Sequence, residues 1–461
     1  MTTTAITGTT AITMDATRRV IENATIVFAD DRITAVGAAS DVTIPEGAEI
    51  IDGRGTLTLP GLIDSHAHAG HGLTRNLGAR AGGDAWFQAC EDLYTRGSTA
   101  GFWQAEARLS AQERLKAGIT TCTMLLGGGA DHYRTETREA GDLHCAATRE
   151  AGLRTMLAAG VNRAPFPKTY RSLDQSREIT LSFDDQLAVC AELAEGHNDL
   201  LGAGTGVCLI MPVYQPDEVA EDPQTIRRMC RDVMDLREKA GLLFTQDGHR
   251  NGSIELAETL EIIGPWSYLS HSVDLTEGDM AAAQRSGTSI VHNPSAIMSV
   301  YGRCPAPELR DMGVNVALGS DAAAPDRGYD MFRHMAQCLH YHRRHFRDPD
   351  VMMPIDVLEM CTIDAARAIG LADDLGSLDV GKKADIIMLD REQAHMYPPM
   401  MPLTAAAQFA NAGDVDTVIV NGKIRMRHRK TDLDERAILT SAAQELTDAI
   451  ARCGLEHLLE E

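Results

Sequence analysis

The chain has 461 residues, 44% of them hydrophobic and 24% charged, which is enough for a catalytic core plus a smaller domain and too apolar for extended disorder. Lys and Arg (43) against Asp and Glu (66) leave a net charge of −23, which repels phosphate backbones and anionic headgroups and so excludes nucleic acids and membrane surfaces as natural partners. No run approaches a membrane-spanning length, and the opening MTTTAITGTTAITMD lacks the basic-then-apolar order of a secretory signal, so a cytoplasmic protein is expected. The ten cysteines are scattered without a C-x-x-C pair, which reads as reduced, small apolar side chains and not as a zinc ribbon or disulfide scaffold.

In chain order, residues 1–56 alternate short runs rich in Thr, Val and Ile with turn residues, the pattern of short strands. Residues 376–432 show the same texture, with Asn421-Gly422 as a type I′ hairpin signal. Neither end can bury a core alone, so the two are expected to join in one small β-sandwich, closed by a helix over 433–461. Between them, 57–375 alternates apolar runs with helical periods such as 223–239 and 252–262. Strands are expected at 57–68, 119–126, 152–160, 201–212, 241–246, 266–271, 288–292 and 314–321. Eight such βα units predict an α/β fold, a (β/α)8 TIM barrel, whose site lies at the C-terminal ends of the strands.

The polar residues arrive at those ends. His66 and His68 are two apart, so on a strand both rings leave one face. His271, His292 and Asp321 end later strands. Imidazoles with one carboxylate suit a divalent transition metal with an open position for water, whose proton Asp321 can accept.

PGLIDSHAH, GITT, HNPSAIMS, GVNVALGSDAAA and GSLDVGKKAD together resemble the amidohydrolase superfamily, in the branch of the adenosine-type and guanine deaminases and the triazine hydrolases. The resemblance implies a metal-dependent barrel with a flanking β-sandwich. It implies that His66 and His68 hold the metal, that Asp321 is both ligand and proton shuttle, and that His271 hydrogen-bonds or ligates the attacking water. His292 would line the pocket and polarise the substrate, and a homo-oligomer, dimer or tetramer, is expected.

The fifth strand departs from that pattern. Where the branch has a His ligand and, three residues on, a proton-shuttling Glu, counting back from His271 gives Gln246 and His249. Either Gln246 ligates weakly through its carbonyl oxygen, or His271 enters the coordination shell, or His249 swings inward; Gln246 or His271 is preferred. No Lys lies between Leu200 and Tyr214, so one metal is expected: zinc first, with iron, manganese or cobalt as alternatives. Without the Glu, His249 is left to protonate a departing amine. The expected reaction is hydrolysis of a C–N, C–S or other C–X bond in a small neutral urea, carbamate, amide or substituted heterocycle. The alternatives are deamination of a purine, pterin or triazine-like ring, and a non-catalytic binding protein on a decayed barrel.

Trp86, Phe87 and Tyr94, with Phe102 and Trp103 nearby, form either an aromatic substrate wall or a packed rim or subunit interface. Gly127-Gly128-Gly129 reads as a tight turn. His340–Arg347 reads as a cavity lining or, in preference, a solvated helix end or oligomer contact, and Met352, Met353, Met396, Met400 and Met401 as adaptable packing.

Overall fold

The computed structural model describes residues 2–75, 77, 83–129, 132–296, 298–323 and 327–459. Part of the expected substrate loop 70–94, Ile297 and Ala324 of the two late motifs, and the last two residues of the closing segment lie outside these ranges.

Eight parallel strands form the barrel sheet: Leu62–His68, Ile119–Leu125, Arg154–Gly160, Thr205–Ile210, Phe244–Gln246, Ser267–Ser270, Ser289–His292 and Val316–Leu318. Each pairs with the next in sequence, and a bridge between Ala67 and Asp321 brings the eighth back to the first. The strands are buried on both faces, as a parallel sheet wrapped by helices requires. One set of side chains fills the interior, including Ile63, Leu125, Ala158, Cys208, Tyr268, Val291 and Ala317. Their alternates, such as Leu157, Leu209, Phe244, Leu269, Ile290 and Leu318, pack outward against the helices. Helices Pro223–Ala240 and Ser253–Thr259 lie where the apolar periods put them.

The chain ends share one nine-stranded sheet. Strands Thr3–Ile12, Val20–Ala29, Arg32–Ala38, Glu49–Asp52 and Thr56–Pro60 join Ile386–Asp390, Val415–Val420, Lys423–Arg427 and Lys430–Thr431. It folds back on itself. The Ile33 N–H donates to the Lys382 carbonyl and the Gly381 N–H to Ile33, so an outer strand meets the segment entering Ile386–Asp390. Ile26, Phe28, Ile33, Ile386, Met388 and Ile419 share the core between. Asn421 and Gly422 both have positive φ (52° and 68°), as the type I′ signal requires.

Three details differ from expectation. The run 57–68 is two strands: Thr56–Pro60 pairs with Ile386–Asp390 in the terminal sheet, and the barrel strand begins only after Gly61. The segment after the third barrel strand forms a hairpin, Lys168–Arg171 with Glu178–Leu181, that periodicity did not mark. The closing segment is a helix over Glu435–Cys453 and a short turn of 3-10 helix, Glu456–Leu459.

Candidate metal centre and active site

His66 and His68 leave the first barrel strand on one face, with ring centres 5.1 Å apart and planes nearly perpendicular. His271 follows the sixth strand and stands 5.4 Å from His66 between ring centres. Asp321 follows the eighth. Both His271 and Asp321 hold left-handed backbone (φ 62° and 63°), a conformation that costs energy in a non-glycine residue and persists only where the surroundings enforce it. For Asp321 the enforcement is visible. Its N–H donates to the His66 carbonyl at 2.8 Å, and Ser320 donates from its N–H and hydroxyl to the Asp64 carboxylate at 2.8 and 2.6 Å. Gly319 permits this approach, since a Cβ there would stand 2.9 Å from the His66 Cβ.

The fifth group is Asp247, which the sequence reading passed over. Its Oδ1 lies 3.0 Å from His271 Nε2 and 3.4 Å from His66 Nε2, and its Oδ2 lies 3.5 Å from His68 Nε2. Asp321 Oδ1 faces the same three nitrogens at 3.8, 3.6 and 3.3 Å. Three imidazole nitrogens and two carboxylates thus converge on one point. The groups His66, His271, Asp321 and His66, His68, Asp247 each bring their donor atoms within 4.8 Å of one another.

Electrostatics and hydrogen bonding both fit a divalent cation there. Burial raises the cost of a charged Asp247, but His66, His271 and His68 hold its carboxyl well below the usual range. Burial likewise opposes charge on Asp321, and His271, His66, His68 and Arg327 outweigh it. His66 is buried, which lowers its pKa, yet the facing carboxylates of Asp247 and Asp321 raise it to about 10. Neither His66 ring nitrogen makes a hydrogen bond of ordinary geometry. His68 Nδ1 faces the Gly127 carbonyl at 3.2 Å, which leaves the Nε2 lone pair for an ion when Nδ1 carries the proton. Ser270 Oγ donates to Asp247 Oδ1 at 3.0 Å.

A cavity of about 230 Å³ opens over these groups. Trp86, Phe87, Met298 and Tyr301 give it an apolar, largely aromatic wall; His71, Gly128, Gly248, Ala322 and Arg327 complete the lining. Of the aromatic residues expected as a substrate wall, Trp86 and Phe87 line this cavity. Phe102 and Trp103 do not: both are fully buried, and Trp103 Nε1 donates to Ser98 Oγ at 3.0 Å.

Three expected site residues stand elsewhere. Gln246 is not turned to the centre: its Nε2 donates to the Pro212 carbonyl at 2.7 Å and its Oε1 faces His249 Nε2 at 3.1 Å. His249 is fully buried, with Nδ1 2.9 Å from Ser253 Oγ, and burial pushes its pKa down to about 3, so it is neither a pocket acid nor a ligand. His292 lies against His342, Nε2 to Nε2 at 3.2 Å, and does not line the cavity. The fifth-strand error is one of parity. Phe244 packs outward, so Gln246, two residues on, must face the same way, while Thr245 and Asp247 face the interior. Gly248 (φ 98°) then turns the chain so that His249 returns behind the site. The outward Phe244 was a signal in the sequence that could have found Asp247.

Gln246→Leu is therefore expected to leave the Pro212 carbonyl and His249 Nε2 without their Gln246 partner. Stability should fall by about 1–3 kcal/mol in urea unfolding while bound metal is unchanged. Loss of metal at unchanged stability would return Gln246 to the coordination shell.

Residues 57–425 match the amidohydrolase family, and the chain belongs to it. It is a metal-dependent hydrolase of carbon–nitrogen bonds other than peptide bonds. Among characterised relatives, the 5'-deoxyadenosine deaminase of Methanosarcina barkeri is 26% identical over 466 aligned residues, covering 96% of this chain and 97% of that one. The 5-methylthioadenosine/S-adenosylhomocysteine deaminase of Syntrophobacter fumaroxidans is 27% identical over 433, covering 91% and 92%. In structure, the zinc-bound adenosine deaminase from Xanthomonas campestris superposes with a TM-score of 0.81 at 20% identity, covering 97% of this chain and 98% of that one. The zinc complex of atrazine chlorohydrolase from Arthrobacter aurescens gives 0.81 at 20%, covering 96% and 99%. Among the described residues no helix is long and apolar enough to cross a membrane.

Proposed function

We propose that the protein hydrolyses the bond between a flat, nitrogen-rich ring and an exocyclic amine or comparable small leaving group. The observation that carries this reading is the convergence of three imidazoles and two carboxylates at the floor of an aromatic-walled cavity. The named relatives and structural neighbours are deaminases and a triazine hydrolase, which favours a ring over an open-chain urea, carbamate or amide.

His66, His68, Asp247 and Asp321 would hold the ion, with His271 facing the attacking water. A divalent ion bound there supplies Lewis acidity and a more acidic water. Asp321, kept ionised by its neighbours, accepts the water's proton and can deliver it to the departing nitrogen. Trp86 and Phe87 stack on the ring, and Arg327, 3.6 Å from Asp321 through Nη2, holds that carboxylate's second oxygen toward the cavity. Imidazoles favour zinc; the second carboxylate also suits manganese, iron or cobalt. A carboxylate donates more electron density than the amide first expected at the fifth strand, so Asp247 would leave a bound ion less Lewis-acidic than Gln246 would.

With Asp247 in the ligand position, the residue three further on is Arg250, which is exposed, so that position offers no carboxylic acid to protonate the ring. This observation favours a second reading, displacement of a leaving group that departs without ring protonation. A panel separates them. Aminopurine nucleosides, amino- and chloro-substituted triazines, aryl ureas and carbamates are assayed for release of ammonia, chloride or amine. One of the two ring classes is expected to turn over at least ~100-fold faster than any urea or carbamate. The reverse order would contradict the proposal.

A cytoplasmic homo-oligomer is part of the same reading. All ten cysteines are free, which suits a reducing compartment, and the exposed Tyr397, Met400, Met401 and Phe409 favour a covered surface.

A further inference from the structure

Helix Met331–Phe346 carries Cys338 and His342 four residues apart, hence on one face. There they meet His292, at the end of the seventh barrel strand. His292 and His342 approach Nε2 to Nε2 at 3.2 Å, and with the Cys338 sulfur the three donor atoms lie within 4.8 Å of one another. All three side chains are buried, and none lines the catalytic cavity. Apart from their mutual contact the rings make no hydrogen bond: Nδ1 of each is buried without a partner. Two nitrogens bound to one tetrahedral zinc at roughly 2.0–2.1 Å stand about 3.3 Å apart, close to the separation seen.

We propose that His292, Cys338 and His342 form a second metal site, structural in role and distinct from the catalytic centre, that takes a thiophilic ion such as zinc. An i, i+4 pair on a helix facing a third donor on a strand end is a favourable way to present ligands to such an ion, and a thiolate selects it over magnesium or calcium. On binding, the Cys338 thiol gives up its proton to solvent and the sulfur bonds the ion; both imidazoles donate lone pairs, and no redox change occurs. The ion would pin helix Met331–Phe346 to the strand beside the one that precedes Asp321.

Sulfur distinguishes the sites, because the catalytic centre has none among its donors. Cobalt(II)-loaded wild-type protein should show thiolate-to-cobalt charge-transfer absorption in the near ultraviolet. Cys338→Ser should lose it, His342→Gln should weaken it, and Asp247→Ala should keep it. Zinc-loaded, desalted wild type should hold about two ions per chain and Cys338→Ser about one. Absence of the band from cobalt-loaded wild type, or equal metal content in wild type and Cys338→Ser, would overturn the proposal. These readouts do not depend on turnover, so failure of the catalytic reading leaves this one standing, and the converse holds.

Discussion

Asp247→Ala is expected to strip the catalytic ion and abolish turnover. Asp247 faces His66, His68 and His271 within 3.5 Å, and its carboxylate is, with that of Asp321, one of the two that converge on the centre among the described residues. Loss even of an outer partner to a ligand costs metal affinity roughly 10–100-fold, so loss of a ligand should exceed about 100-fold. The three imidazoles would then face one another with the Asp321 carboxylate alone between them. Metal content after dialysis, beside that of Gln246→Leu, measures the difference between the neighbours. If Asp247→Ala kept its ion while Gln246→Leu lost it, the parity argument for the fifth strand would fail.

Asp321→Asn should separate holding the ion from moving the proton. The amide oxygen can still approach a cation, whereas it cannot accept a proton from water. The Asn variant should therefore keep more metal than Asp321→Ala, and its turnover should fall by about 10²–10⁴-fold, the usual worth of a positioned acid–base group. The backbone is not expected to shift, because the Asp321 N–H to His66 bond and the Ser320–Asp64 contacts do not involve the replaced atoms. Asn activity within tenfold of wild type would move the base elsewhere, with His271 the first alternative.

Most of the architecture was legible in the sequence, for a physical reason. Parallel barrel strands are buried on both faces and read as unbroken apolar runs, and the polar residues that end them cannot be core. His66, His68, His271 and Asp321 were found that way. What escaped depended on which face of a strand a residue takes. Strand Phe244–Gln246 is three residues long, too short for alternation to show itself, and Asp247 begins the turn after it. Aligning by motif instead put Gln246 at the centre. His292 failed differently: it does end a strand, but its partner His342 comes from a helix fifty residues on. The basic surroundings of His340–Arg347 read as solvated, although His342 itself is buried. Likewise Trp86 and Trp103 are close in sequence, and only the packing of the helix Ala100–Lys116 separates a cavity wall from a core residue.

The central claim is that an ion held by His66, His68, Asp247 and Asp321 is needed for hydrolysis. Its most direct test is turnover of the best substrate of the panel by exhaustively chelated protein, before and after zinc is restored, with Asp247→Ala carried alongside. The account predicts no hydrolysis from the metal-free protein, recovery on adding zinc to wild type, and no recovery in Asp247→Ala. Full turnover by protein with no detectable bound metal would contradict it.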